Sequence, residues 1–294
     1  KLERLNCSRG INKTMNALNE KLSDDGIFIC CFESLSTRKK NILDHYPKLI
    51  NRFVYAWDFM IHRLIPKFFI TRRLYYDITG GKNRILSKTE VIGRLYCNGY
   101  EVFADNKIDG LTYVMAKRIK QAEALRSHRY GPLIRLKRYG KNKKTFTVYK
   151  FRTMYSYSEY MQAYIYKHND LQEGGKFKND IRITSLGHFM RKYWIDEFPM
   201  IINLIKGDMK IIGVRPLSAQ YFSLYSKELQ EKRVKFKPGL LPPFYADMPK
   251  DLDEIQASEM KYLEACEEKG VFVTDIRYFF KIINNILFKK ARSA

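Results

Sequence analysis

The chain has 294 residues, 45% of them hydrophobic, enough for a sizeable core and, at about 100–200 residues per domain, for two domains. Its 54 Lys and Arg against 31 Asp and Glu leave a formal charge of +23, an excess that points to nucleic acid, an anionic membrane face or phosphorylated substrates. Five cysteines (Cys7, Cys30, Cys31, Cys97 and Cys266) show no metal-ligand spacing, so reduced thiols in a cytosolic compartment are the better reading. No signal peptide is visible, and no apolar run approaches the length of about 18 residues that a membrane span needs. The chain begins at Lys1 without a methionine, which leaves an upstream segment open.

Along the first part, "GIFICCF" (26–32) reads as a buried strand, with Cys30 and Cys31 as core residues. "STRKKNILDHYPKLI" follows as a helix that Ser36 or Thr37 could cap. "SKTEVIGRLYCNGY" is a second helix, with Ser87 as N-cap and Glu90 three residues on as a capping box. "YEVFADN" and "GLTYVMAKRI" form a strand pair that turns at Gly110. The order of these elements faintly resembles the last third of a Rossmann-like methyltransferase domain, although the glycine-rich nucleotide loop is absent. Residues 1–125 are therefore expected to form a noncatalytic, Rossmann-like α/β module.

From Ala124 to Ser158 there is no acid, while ten cations occur. "GPLIRLKRYGKNKKTFTVYKFRTM" reads as strand, turn, strand, a basic hairpin whose interleaved aromatics would also suit single-stranded nucleic acid. In "YSYSEYMQAYIYKHND", Tyr157, Met161, Tyr164, Ile165 and His168 recur at helical spacing, as a core face or an interfacial one. A flexible Gly174-Gly175 joint, a polar turn ending in Asp180 and a cationic helix carrying Arg191 and Lys192 come next.

Adjacent acids then stand out in this basic chain. Proline is tolerated in a first helical turn, so Pro199 suggests that "DEFPMIINLIKG" starts a helix at Asp196 and ends it before Gly207. The helix N-terminus would hold Asp196 and Glu197 ionised, leaving one able to attack phosphorus and the other to bind a divalent metal. An N-cap acid followed by a solvated Glu is the plain alternative.

The neighbouring residues add a resemblance. "YKFRTM", "NDIRITSLGHFMRK", "DEFPMIINLIKGDMKIIGVRP", "KPG" and "DIRY", in that order over about residues 130–294, resemble the motifs of the bacterial sugar transferase family. The resemblance implies an α+β monotopic-type phosphoglycosyl transferase domain over residues 126–294. It implies transfer of a sugar-1-phosphate from a UDP-sugar to undecaprenyl (polyprenol) phosphate, with UMP released, at the start of surface glycan assembly. Asp196 would be the nucleophile and Glu197 the Mg²⁺ ligand. Lys150, Arg152, Arg182, Arg191 and Arg215 would hold phosphates, Asp180 and Asp208 would orient those arginines, and Asp275 and Tyr278 match a late motif. The implied place is the cytoplasmic face of the bacterial inner membrane, peripheral or monotopic, with no nucleic acid expected and a homodimer kept open. A basic nucleic-acid-binding protein and a non-catalytic UDP-sugar or lipid-phosphate scaffold stand as the rival readings.

Two features depart from the family. Its long apolar re-entrant helix is missing before the "GP" hairpin, and the stretch around Pro66 that could replace it carries Arg52, Asp58, Arg63 and Lys67, which oppose hydrocarbon insertion. "PRP" and "PGLTGLWQV" appear as "VRP" and "KPGLLPPFYADMP". The C-terminal "DIRYFFKIINNILFKKARSA" suits a helix lying in a membrane interface, or one packed on the core with a basic tail.

Overall fold

The computed structural model describes residues 4–122, 130–162, 164–165 and 180–288. The chain divides into two units, one formed by Lys1–Gly131, Met154–Asn169 and Asn179–Arg182, the other by Pro132–Thr153, Asp170–Lys178 and Ile183–Ala294.

The first unit runs α1 (Ile11–Lys21), β1 (Ile27–Phe32), α2 (Leu35–His45), α3 (Asn51–Phe59), α4 (Phe69–Thr79), α5 (Lys88–Cys97), β2 (Tyr100–Ile108) and β3 (Leu111–Arg118). The strands pair in the order β1-β3-β2, with Cys30 opposite Val114, and both pairings are antiparallel. A Rossmann-like unit needs parallel strands joined through helices. The α/β class therefore stands, whereas that arrangement is absent among the described residues. The turn between β2 and β3 needs two left-handed residues, supplied by Asp109 (φ 47°) and Gly110 (φ 74°), as in a tight two-residue hairpin. Cys30 is buried, and desolvation followed by the neighbouring Cys31 pushes its thiol up to about 12, which keeps it inert.

The cap of α2 is Ser34 and not Ser36 or Thr37, because its hydroxyl accepts the Thr37 N–H while its own backbone stays extended. Ser87 caps α5 by accepting the Glu90 N–H at 3.1 Å, but Glu90 does not complete the box. Its carboxylate is taken by Arg63 at 2.5 Å and Arg94 at 2.8 Å. Burial alone would raise the Glu90 pKa, yet these two guanidiniums hold it far below the usual carboxylate range.

That pairing changes the reading of the Pro66 stretch. Between α3 and α4 the chain makes a π-helical turn (Met60–Leu64) and a 3-10 turn (Ile65–Lys67). Asp58 accepts two bonds from Arg38, at 2.6 and 2.8 Å, and Arg63 is buried against Glu90. Two of the four charges expected to oppose contact with hydrocarbon are thus turned inward and neutralised. Leu49, Phe53, Trp57, Leu64 and Phe68 are left exposed. Tyr157, Met161, Tyr164 and Ile165 are buried, as the core reading expects; His168 and the Gly174-Gly175 joint lie outside the described residues.

In the second unit, β4 (Leu133–Tyr139) and β5 (Thr145–Phe151) form the basic hairpin. α6 (Ser185–Lys192), a 3-10 turn (Ile195–Met200), α7 (Ile201–Ile205) and β6 (Lys210–Ile212) follow. α8 (Ala219–Ser223), α9 (Lys227–Lys235), β7 (Gly239–Leu241), α10 (Phe244–Asp247), α11 (Leu252–Lys269) and α12 (Val271–Phe288) complete it. β6 and β7 are parallel, and a Cβ on Gly239 would lie 2.1 Å from the Gly213 nitrogen. The "KPG" and "GVRP" motifs therefore meet backbone to backbone. Leu229, Tyr262, Leu263 and Ile282 are fully buried in the core beside them. α12 contributes Thr274, Tyr278, Ile282 and Asn285 to the buried side, at helical spacing, and leaves Phe272, Val273, Ile276 and Phe280 exposed. Among the described residues, no helix is long and apolar enough to cross a membrane.

Candidate active site

Strand periodicity sets the first element of the site. Side chains alternate along β5, so Lys150 shares a face with Val148, which is buried against Met200 and Met209. A lysine on an inward face needs an anion, and Lys150 Nζ lies 2.6 Å from Glu197 Oε1.

The acid pair is delivered by a 3-10 turn, not by the start of a regular helix as expected. Trp194 enters that turn in the left-handed region (φ 55°) and Pro199 sits within it. Beyond it the fully buried Asn203 of α7 accepts the Tyr149 N–H and donates to the Thr147 carbonyl at 2.7 Å, tying the segment to β5. Asp196 and Glu197 are 8% and 9% exposed, so neither is the solvated acid of the plain alternative.

Electrostatics then separate the two acids. Glu197 Oε1 meets a second cation, Arg215 Nη2, at 3.6 Å. Asp196 Oδ1 is buried and has no hydrogen-bond partner among the described residues. Burial pushes the Asp196 pKa up and Glu197 adds to this, against the opposing pull of Lys150 and Arg191. The direction is opposite to the one a favourable helix terminus would give. Burial likewise lowers the Lys150 pKa, with Glu197 opposing and Arg215 adding to the fall.

Beside Lys150, Glu197 and Arg215 lies a cleft of about 600 Å³, lined among others by Arg138, Tyr221 and Tyr245; Asp196, Arg152 and Arg191 are not among its lining residues, Asp196 sitting next to Glu197 in the chain. Its lining combines a few charged groups with apolar and aromatic side chains, a common composition for a site that orients a small ligand. Arg191 donates to the Thr153 hydroxyl at 3.1 Å, and Arg152 follows β5 with its N–H on the Pro132 carbonyl. Arg182 and Asp180 belong to the first unit, where they pair with each other at 2.7 Å and Arg182 also donates to Gln162. Asp208 accepts from Asn203 and not from an arginine, because the Gly207 turn folds it back over α7. Asp275 clamps Lys210 at 2.8 Å and accepts from the Tyr262 hydroxyl, while Tyr278 packs edge-on against Tyr262. These two brace α12 in the core.

Sequence reading overlooked Arg138, Asn203, Arg233 and Glu259. Arg138 could have been found by alternation, since it falls on the inward face of β4 with Leu136. Arg233 and Glu259 carry no local signal.

The donor set can also be weighed for a metal. No cluster of three His, Cys, Asp or Glu exists among the described residues. Two adjacent carboxylates with one unpartnered buried oxygen nonetheless suit Mg²⁺, which is usually held by one or two carboxylates plus substrate phosphates.

Residues 110–289, well over half of the chain, match the family model described as bacterial sugar transferase. The chain belongs to the bacterial sugar transferase family. Its family relatives include the galactosyl transferase CpsE of Streptococcus agalactiae serotype III, 36% identical over 131 residues, 43% of this chain and 29% of that protein. The undecaprenyl-phosphate galactose phosphotransferase of Salmonella typhimurium is 31% identical over 121 residues, 40% of this chain and 25% of the relative. The UDP-N-acetylgalactosamine-undecaprenyl-phosphate N-acetylgalactosaminephosphotransferase of Aeromonas hydrophila is 36% identical over 102 residues, 34% of this chain and 21% of the relative. The chain thus spans less than a third of the length of each of these family members.

Proposed function

We propose that this protein transfers a sugar-1-phosphate from a UDP-sugar to undecaprenyl phosphate, releasing UMP, at the start of exopolysaccharide, capsule or O-antigen assembly. The observation that carries the reading is the unpartnered, buried Oδ1 of Asp196 beside a glutamate held by Lys150 and Arg215. In the first step an Asp196 carboxylate oxygen bonds to the phosphorus that bears the sugar. The bond from that phosphorus to the bridging oxygen breaks, and UMP leaves with the electron pair. In the second step a phosphate oxygen of the lipid attacks the same phosphorus. The Asp196 oxygen is released, and a lipid diphosphate-sugar forms.

Charge accumulates on phosphate oxygens in both steps, and Lys150, Arg215 and Arg138, with Lys250 also on the lining, are cations of the cleft that can offset it. Mg²⁺, held by Glu197 together with substrate phosphate, would add Lewis-acid neutralisation of the same oxygens. Contact with the inner-membrane surface is part of this reading, because the acceptor is a lipid. The exposed apolar side of α12, with Arg277 and Lys281 beside it, supports an interfacial placement.

Incubation with undecaprenyl phosphate, Mg²⁺ and a panel of UDP-sugars tests the proposal. Sustained UMP release that needs both lipid and metal is the expected result. No turnover with any sugar, across metals and detergents, overturns it.

A further inference from the structure

The segment that carries Arg215 hangs between two strands and must be held from outside. Its flanking carbonyls are satisfied by backbone: Val214 O accepts from Gly239 N at 3.0 Å, and Leu217 O accepts from Tyr139 N at 3.0 Å. The carbonyl of Arg215 itself accepts from a side chain, Nη2 of Arg233 on α9, at 2.5 Å. Pro216 follows, which restricts Arg215 to extended backbone and lets that one bond fix the direction in which its side chain departs.

Arg233 is in turn locked. It is 5% exposed, its Nη1 pairs with the carboxylate of Glu259 on α11, and its guanidinium lies over the Tyr225 ring, 5.0 Å from the centroid. Glu259 has no exposure at all. A buried ion pair of this kind gains little stability over an apolar pair of equal volume, because both charges have lost their water. Its distinctive contribution here is geometric: a planar fork that donates through Nη2 to the Arg215 carbonyl while its other arm lies against the Glu259 carboxylate as an ion pair. Tyr225 and Glu259, which flank Arg233, also line the cleft that Arg215 and Glu197 share, whereas Arg233 itself lies behind them and does not line it.

We propose that Arg233, held by Glu259 and Tyr225, is the positioning residue for Arg215, fixing the backbone from which the Arg215 guanidinium meets Glu197 and the diphosphate of the nucleotide sugar. This rests on the function proposed above. Arg233 touches neither substrate nor the reacting atoms; it acts through Arg215.

A double-mutant cycle tests the inference. Arg233→Lys keeps the charge and loses the fork, and the paired replacement Arg233→Met with Glu259→Met removes both buried charges together, so that neither is stranded. Each is made in the natural background and with Arg215→Ala, and each protein is checked by circular dichroism and thermal melting. UDP-sugar binding by calorimetry, kcat and KM are then read. In the natural background KM and the dissociation constant should rise about ten- to a hundredfold, more than kcat falls. In the Arg215→Ala background the same changes should cost less than about threefold. Equal losses in both backgrounds, or no loss in a folded protein, overturn the positioning role. If the unaltered chain neither binds nor turns over any UDP-sugar, the proposed function fails, and the inference with it. Binding with no turnover would sink the transferase reading alone, and the calorimetric cycle would still decide the role of Arg233.

Discussion

Lys150 and Glu197 stand 47 positions apart in the chain and 2.6 Å apart in space, an ammonium and a carboxylate joined inside a cleft that holds two more guanidiniums. Neither would keep its charge comfortably there alone. Glu197→Gln and Lys150→Met are each expected to lower turnover about a hundredfold or more, and their combination to cost clearly less than the product of the two. Steady-state UMP release measures all four proteins; strictly multiplicative losses would show that the two residues act independently.

Asp196→Asn should abolish turnover, about a thousandfold or more, since an amide cannot be the departing and attacking group. Mass spectrometry of the unaltered protein given UDP-sugar alone should find a phosphosugar adduct on Asp196. The same exchange should stabilise the fold at neutral pH. Burial raises the folded-state pKa of Asp196, so the folded chain binds this proton more tightly than the unfolded one. Its contribution to stability is favourable below the unfolded value, declines as pH climbs through the raised folded value, and is a net cost above it. Melting curves of both proteins at pH 4 and pH 7 check the sign: the advantage of Asn should be larger at pH 7, and the reverse order would contradict the burial argument.

Gly239→Ala places a methyl group 2.1 Å from the Gly213 nitrogen, so β6 and β7 must part. A loss of about 1–3 kcal/mol is expected from such overpacking. Activity should fall with it, because Arg215 leaves the end of that strand pair. Denaturant unfolding gives the first quantity, and unchanged stability would mean that the two backbones are not in contact.

Membrane contact is best probed without cutting α12, whose Tyr278 and Ile282 are core residues. Phe272→Asp with Phe280→Asp alters only its exposed side, where these rings are 77% and 68% accessible. Flotation on anionic vesicles should drop about tenfold or more, and it should also weaken in high salt. A folded double variant that floats as well as the natural chain assigns the attachment to another surface, with the exposed residues between Leu49 and Phe68 the next to examine.

Local patterns were readable where neighbouring residues determine the outcome. Alternation in "LIRLKRY" and "TFTVYKF" predicted the β4–β5 hairpin, and Gly110 and Ser87 predicted a turn and a cap. The β2–β3 hairpin was readable from its turn, but the direction of β1 against β3 was not, since the two strands are far apart in sequence with helices between them. The motif order identified the family and the acid pair. It did not indicate that Trp194 would wind that pair into a 3-10 turn, nor that Asp58 and Arg63 would face inward, because both depend on residues distant in sequence.

Asn203 carries one more consequence. It sews β5 to the segment after the acid pair, through the Tyr149 N–H and the Thr147 carbonyl, so the meeting of Lys150 with Glu197 is set by a stitch and not by the length of thread between them. Sites of this design can be inherited with any gap. A search for others in unrelated chains should look for a lysine one residue after the strand position that a buried asparagine binds, and let the intervening stretch be as long as it will.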